Sequence, residues 1–397
     1  MNILVLSDLH IGEKAVTKDL QPQEKGIGEN DDKFVLSFIE MIEQLTNNNP
    51  IQYLVIPGDI TNKSQMIEYQ RAGLFIENIR KVLKLENDKI LFVPGNHDID
   101  WSVFNTTNQS ERNLRKVQRY NTMVDSTLSF STLVSRELIV EPFIKIWEFD
   151  DIIFVGFNSS WHDNAILEDH YGIIEIDQIQ KLNTILTNME KTNKLKIFLL
   201  HHHLCEYPNT PREIDISCLK NAISLIEVLS QHSFNFVIHG HRHWPFFHSL
   251  DYSNFESINY LCSGSYSHEV PTIMAGRVGN VCHIITFDNL KECRGMVLTK
   301  AYDAVMEKWI DSREYSHGID HIDHFGCKLK FNEMFSICKN QLQLSSGSFI
   351  EIKTLETYVP ELRYMQNVVK KVLFEKLQKE LNIVYSQSVH GEIFYKN

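Results

Sequence analysis

No stretch of the 397 residues approaches the roughly 18–20 consecutive apolar residues that cross a bilayer, so the chain reads as carrying no membrane span. Glycine (17) and proline (10) are too sparse for a collagen-like, elastic or low-complexity architecture. Cysteines number seven, an odd count with no C-x-x-C pair, which argues against a disulfide framework and fits reduced thiols in a cytoplasmic protein. Positive charge is also short: 39 Lys+Arg stand against 51 Asp+Glu, a net charge of −12. That weighs against a blanket electrostatic binder of nucleic acid while leaving room for a local basic patch. The opening MNILVLSDLH lacks a basic leader and meets acidic residues at once, so it does not read as a signal peptide. With 43% hydrophobic and 23% charged residues, what remains is the composition of a globular protein of two or three domains.

Apolar runs and helical periodicities alternate through the first 240 residues. Ile3–Leu6, Tyr53–Ile56, Ile90–Val93, Phe143–Phe149, Ile152–Phe157, Ile197–Leu200 and Phe234–Ile238 read as strands. Helices are predicted at 32–45, where Phe34, Phe38, Ile42 and Leu45 recur at helical spacing, and at 65–84, 175–190 and 217–230. Residues 101–135 read as helical and carry Arg112, Arg115, Lys116 and Arg119 against one acid, Glu111. Residues 11–30 are polar with Gly and Pro, a surface loop. After 245 the pattern changes to short β-like runs: Phe246–Leu250, Ile258–Cys262, Val281–Phe287 and Met296–Leu298. Alternation followed by a run of strands implies an α/β core with more than one sheet. Motif content thins near 300, which divides the chain into a 1–300 domain and a 301–397 extension. Within the extension, residues 363–381 predict an amphipathic helix with Met365, Val369, Leu373, Leu377 and Leu381 on one stripe.

Five short segments place carboxylate, imidazole or amide groups just after an apolar run. They are Asp8-Leu9-His10, Gly58-Asp59, Gly95-Asn96-His97-Asp98, His201-His202-His203 and Gly240-His241-Arg242-His243. Strand ends are where α/β sheets assemble their sites. Asp, Asn and neutral His together suit borderline divalent ions such as Mn²⁺, Fe²⁺, Zn²⁺ or Ni²⁺, and seven such groups suffice for two ions if one carboxylate is shared. Glycine beside them lets backbone and substrate approach closely. A lone Asp-x-His or Gly-Asp occurs by chance. Five segments in this order, each behind its own apolar run, do not.

The order of motifs resembles the calcineurin-like metallophosphoesterase superfamily over roughly residues 1–290. The resemblance implies a four-layer α-β-β-α sandwich of two mixed sheets, followed here by a helix-containing C-terminal extension. It implies one ion held by Asp8, His10 and His243, a second by Asn96, His201 and His241, and Asp59 shared between them. His97 is implied as the residue that faces the leaving group without binding metal. Strand alternation puts His201 and His203 on one side and His202 on the other, and the family places the ligand first after the strand, which selects His201. The implied cofactor is a pair of divalent ions, Mn²⁺ first, that neutralise a phosphate and lower the pKa of a bridging water for in-line attack. His97 then stabilises the phosphorus centre or protonates the leaving oxygen. Asp98 reads equally as an orienting group or a helix cap.

Remaining features are weaker. Arg242 sits between two ligand candidates, but alternation turns it outward. Asn158 to His162 follow a strand and read as the site rim. His317, His321 and His324 have i, i+4, i+7 spacing, more simply a solvated polar face than a metal site. The expected function is a metal-dependent phosphodiesterase on a nucleotide or nucleic-acid diester. DLHIG resembles the first motif of the family's DNA-repair nucleases, and the paired histidines resemble its cyclic-nucleotide phosphodiesterases. A phosphomonoesterase and a catalytically silent metal-binding scaffold are the alternatives, the latter disfavoured by intact motifs. The extension is expected to dock a protein partner or a second copy.

Overall fold

A computed structural model describes residues 1–13, 15–30, 32–47, 49–101, 111–116, 120–122, 137–163, 172–189, 192–205, 218–250, 257–268, 278–345, 347–388 and 391–396. The chain divides into two compact units: Met1–Thr286 with Leu298–His321, and Phe287–Val297 with Ile322–Asn397.

The first unit contains two mixed sheets. One runs, in sequence-order labels, β13 (Lys308–Asp311), β12 (Arg294–Asp303), β11 (Val281–Asn289), β1 (Asn2–Val5), β2 (Tyr53–Ile56) and β3 (Ile90–Phe92). Strands β1, β2 and β3 are parallel, while β11 meets β1 antiparallel with Asn2 opposite Thr286. The other runs β4 (Glu137–Glu141), β5 (Ile144–Glu148), β6 (Ile152–Phe157), β7 (Leu195–Leu199), β8 (Phe236–His239), β10 (Ile258–Ser263) and β9 (Pro245–Leu250). Its centre, from β6 through β7 and β8 to β10, is parallel.

The strands are apolar on both faces because both faces are covered. Leu4, Leu6, Leu54, Ile56, Ile90 and Phe92 share a core with Phe34, Phe38, Tyr69, Phe75 and Ile76. The latter lie on α1 (Lys33–Thr46) and α2 (Met66–Leu83). Helix α1 starts where the Asp32 carboxylate accepts from the Phe34 N–H, and α2 where the Glu68 carboxylate accepts from the Gln65 N–H. On the second sheet, Ile153, Val155, Phe157, Phe198, Val237 and Tyr260 pack with Ile179, Leu182, Leu225 and Leu229. Those belong to α3 (Ile176–Asn188) and α4 (Ala222–Gln231). Between the sheets Tyr53 meets Phe149 and Phe154 at ring distances of 5.0 and 5.1 Å. Gly156 lies where any Cβ would strike Trp147 and Val93. The layers are therefore helix, sheet, sheet, helix, the sandwich the resemblance implied.

The second unit holds α6 (Phe331–Leu344), α7 (Ile352–Tyr358) and α8 (Asn367–Leu381) over the antiparallel sheet β15 (Phe349–Glu351), β17 (Gly391–Lys396), β16 (Ile383–Ser388). The short α5 (Glu314–His317) and β14 (Ile322–Phe325) precede them. Its core includes Met334, Cys338, Leu355, Leu373, Leu377 and Phe394. The helix predicted at 363–381 starts at Asn367, because Pro360–Tyr364 forms a separate 3₁₀ turn and Met365 is extended with its side chain in the core. Residues 111–116 are helical, and most of the remaining 101–135 stretch lies outside the described residues. No disulfide links the cysteines. Among the described residues, no helix is long and apolar enough to cross a membrane.

Candidate metal centre

The five motif loops leave the same ends of parallel neighbours: β1, β2 and β3 in one sheet, β7 and β8 in the other. Backbone bonds stitch the loops together. The Asp8 and His10 N–H groups donate to the carbonyls of Gly58 and Asp59, and the Gly240 N–H donates to the His201 carbonyl. Asp8, His10, Asp59, His241 and His243 all have positive φ, between 43° and 75°. A non-glycine residue there costs on the order of 1–3 kcal/mol and persists only where its surroundings fix it. Five such residues among seven ligand candidates mark a cluster whose backbone is fixed by its surroundings rather than ordinary loop ends.

The side chains converge in two groups. In one, His10 Nε2 lies 3.1 Å from His243 Nε2, and His243 Nε2 lies 3.1 Å from Asp8 Oδ1. In the other, Asn96 Oδ1 lies 3.1 Å from both His201 Nε2 and His241 Nδ1. Asp59 Oδ2 stands between them, 3.5 Å from His10 Nε2 and 3.2 Å from His201 Nε2. Its other oxygen, Oδ1, accepts from the His97 N–H at 2.9 Å. All seven sequence-selected ligand candidates therefore meet around one carboxylate, and His97 flanks them, its ring 4.7 Å from that of His10.

Glycine makes this closeness achievable. A Cβ on Gly95 would lie 2.1 Å from Asp59 Oδ1, one on Gly240 2.2 Å from Asp8 Oδ2, and one on Gly58 2.5 Å from His201 Nδ1. Asp98 is the peg beneath the loops, and both of its expected roles have a bond: it caps its own short turn at Gly95 and ties the Asp59 loop at Ile60 and Thr61. Its carboxylate accepts from the N–H groups of Ile60, Thr61 and Gly95 and from the Thr61 hydroxyl at 2.9–3.1 Å. Burial, with Asp59 beside it, pushes its carboxyl up to about 6 against those bonds.

Charge in the cluster is arranged for cations. Burial holds His10 and His241 well below the usual histidine range, assisted by the imidazoles around them, so both rings are neutral donors of a lone pair. Burial also pushes the Asp59 carboxyl up, but His201, His97 and His10 outweigh it and hold it well below the usual carboxylate range. Burial pushes His201 down, but Asp59, together with Asp8 and the Pro57 carbonyl, raises it to about 9. Imidazole nitrogens, an amide oxygen and carboxylate oxygens facing one another at 3.1–3.5 Å form an acceptor-rich set that fits borderline divalent ions. Asp8, His10, Asp59 and His243 each offer an atom within 4.8 Å of the others, and so do His10, His243 and His268.

The three consecutive histidines separate as alternation suggests only in part. His201 enters the cluster with its Nδ1 on the Pro57 carbonyl at 2.9 Å, which leaves Nε2 facing Asp59. His202 Nδ1 bonds the Ser159 hydroxyl at 2.9 Å, and His203 is fully buried with its ring 6.3 Å from that of His241. Ser159 also accepts from the N–H groups of both His201 and His202, so the rim segment acts as a brace. His162 is occupied by Gln178 and Asn113. His317, His321 and His324 fall on a helix end, a bend and a strand, so no helical face unites them. In the basic stretch Lys116 is buried on the Asp163 carbonyl and Arg115 pairs with Glu111, while Arg119 lies outside the described residues. The site residue that sequence reasoning missed is His268. Its signal was present: Ser263-Gly264-Ser265-Tyr266-Ser267-His268 follows the apolar β10 as the five motifs follow their strands.

Fold and centre together define an α/β sandwich with a cluster at its strand ends that could hold metal ions. Residues 1–245 match the calcineurin-like phosphoesterases; the chain belongs to that family, and its domain is that of a phosphoester hydrolase. No curated protein matches it. Among solved structures it is similar to a purple acid phosphatase from yellow lupin (Lupinus luteus) seeds, with 11% identity and a TM-score of 0.46 over 78% of this chain and 52% of that one. It is also similar to a dimetal phosphatase from Danio rerio (14% identity, TM-score 0.45, 76% of this chain and 95% of that one). A phosphopantetheinyl hydrolase from Mycobacterium tuberculosis shows 13% identity and a TM-score of 0.37 over 66% of this chain and 88% of that one. The chain spans about half the length of the lupin enzyme.

Proposed function

We propose that the chain is a phosphodiesterase with two divalent ions, Mn²⁺ first, that acts on a nucleotide or nucleic-acid diester. The observation that carries this reading is Asp59 Oδ2 between two donor groups, 3.5 Å from His10 Nε2 and 3.2 Å from His201 Nε2. Asp8, His10 and His243 would hold one ion, Asn96, His201 and His241 the other, and Asp59 would serve both. When bound, such a pair supplies charge for the phosphate and an activated water. The protein's own residues do the rest. The glycines keep the ligand loops close enough to share a carboxylate. Asp98 fixes the loop carrying Asp59 to the loop carrying Asn96 and His97. His97 donates its Nδ1 proton to the Asn62 carbonyl at 2.8 Å, which fixes the ring and leaves Nε2 to carry the second proton toward a leaving alkoxide. The leaving alkoxide of either ester needs that proton, so the diester reading is decided by the substrate test below.

The extension, residues 301–397, is proposed as a partner-binding or self-associating region. Leu344, Phe349, Tyr358 and Val368 in it are exposed apolar side chains. A cytoplasmic location is proposed from the seven cysteines without disulfides.

The test is Mn²⁺-dependent hydrolysis of bis-p-nitrophenyl phosphate against p-nitrophenyl phosphate, with Asp59→Asn as control. Diester preference that disappears in the variant, together with loss of bound metal, is expected. Wild-type turnover in Asp59→Asn would sink the shared-ligand assignment, and monoester preference would make the chain a phosphatase on the same site.

A further inference from the structure

We infer that His268 is an additional ligand of the ion held by Asp8, His10 and His243, which makes the two metal positions chemically unequal. The inference rests on the two-ion reading above and extends it.

The geometry comes first. His10, His243 and His268 each present a ring nitrogen within 4.8 Å of the other two. The His268 ring centroid is 4.4 Å from that of His10 and 4.3 Å from that of His243. Ring nitrogens that all lie within 4.8 Å of one another are near enough to be shared by one ion. A substrate-facing imidazole such as His97 touches one ligand ring edge-on. His268 instead packs against both.

Its placement is built, not incidental. The segment before His268 is fastened to the backbone of the first motif residue by residue. The Tyr266 N–H donates to the Ser7 carbonyl at 2.8 Å, the Ser265 hydroxyl to the Asp8 carbonyl at 2.8 Å, and the Ser267 hydroxyl to the Leu9 carbonyl. The His268 N–H donates to the Ser265 hydroxyl at 2.9 Å, and its carbonyl accepts from the Asn280 amide at 2.9 Å. Three consecutive residues therefore hold Ser7, Asp8 and Leu9 and deliver His268 to the face that Asp8 and His10 present. Polar side chains this thoroughly committed to one backbone specify a position to a fraction of an ångström.

The consequence is asymmetry. With Asp59 shared, this position gains three imidazoles and two carboxylates, against two imidazoles, an amide and a carboxylate at the Asn96 position. More nitrogen ligands raise affinity for ions late in the Irving–Williams order and leave fewer positions for water and substrate. The His268 position would thus hold its ion more tightly, and the Asn96 position, with fewer protein ligands, would leave more room for substrate.

The full chain, stripped of metal and titrated with Co²⁺ alone, tests this through the visible absorption and the metal content after gel filtration. Wild type is expected to fill in two steps, the first with the weak absorption of a five- or six-coordinate ion. In His268→Ala the first step should weaken by about tenfold or more and its absorption should intensify as coordination falls, while the second step is unchanged. His268→Gln, which keeps bulk and an oxygen donor, should fall between the two and serves if the alanine variant fails to fold. Two unaltered steps with wild-type spectra in a folded variant overturn the role of His268 and leave the two-ion reading standing. Failure of the wild type to bind two ions overturns both.

Discussion

At the scale of single residues, the cluster's charges pull in opposite directions with pH, and the metal-free protein should show it. His201 is raised to about 9 in the folded chain, so the bond it makes as a cation to Asp59 is fully present below the unfolded value near 6.5. That stabilisation is lost as pH rises through about 9. His10 and His241 are depressed, so the unfolded chain takes up protons that the folded chain refuses, and stability also falls as pH drops below 6.5. Thermal melts of the metal-free protein should therefore peak near pH 6–7. The alkaline decline should vanish in His201→Gln and in protein saturated with Mn²⁺, where the imidazole is already held neutral. A flat profile between pH 6.5 and 9 in the metal-free wild type would contradict the His201–Asp59 pairing. His97 makes the complementary case, because its hydrogen bond to Asp59 comes from its backbone N–H, which an alanine keeps. His97→Ala should keep two ions per chain by metal analysis and lower kcat by about 10²–10⁴, the usual contribution of a positioned proton donor. Loss of metal in that variant would instead make His97 structural.

At the scale of elements, the candidate site was legible because each ligand follows a buried strand, and an apolar run ending in Asp, Asn or His is visible without any coordinates. Strands β1, β2, β3, β6, β7 and β8 fall within a residue or two of the apolar runs for the same reason. The sequence was less informative where pairing partners lie far away. Strands β13 and β14 add to β12 in the first sheet and β15 to β17 form a small sheet of their own, all of mixed composition, and β13 is a strand because Lys300 to Asp303 pair with Lys308 to Asp311 across a turn. His268 follows apolar β10 as the other candidates follow their strands, but what brings it to the centre, hydrogen bonds from Ser265 and Ser267 to Asp8 and Leu9 more than 250 positions away, leaves no local pattern. The glycines were legible as close-approach positions, and their strength can be measured. Gly95 has φ −95°, a conformation open to any residue, so Gly95→Ala carries no backbone strain and acts only through its Cβ, 2.1 Å from Asp59 Oδ1. The substitution should displace Asp59 and remove at least one ion, with the circular dichroism spectrum of the fold unchanged. Full metal content in Gly95→Ala would show that the loops have slack that the geometry denies.

At the scale of the whole molecule, the position near 300 where motifs thin out lies inside β12, and the first compact unit runs on to His321. What residues 298–321 supply is Trp309. Its indole is buried in the core of the first sheet, donates to the Phe34 carbonyl at 3.0 Å, and stacks on Tyr266 at 5.3 Å with a 12° interplanar angle. Tyr266 in turn donates its N–H to the Ser7 carbonyl, one residue before Asp8. A chain ending at 300 therefore loses the ring that backs the first metal loop as well as a strand. Truncating a buried tryptophan alone costs about 3–5 kcal/mol, a large fraction of the roughly 5–15 kcal/mol that holds a domain folded. Residues 1–300 should be insoluble or melt far below the full chain. Residues 1–321 keep Trp309 and every ligand, and should retain two ions and diester turnover with at most a modest loss of melting temperature from the exposed 287–297 segment. Two-ion binding by 1–300 would show that Trp309 is dispensable to the centre. Failure of 1–321 to fold would make the second unit part of the catalytic domain's own stability and remove it as a separable platform for partners.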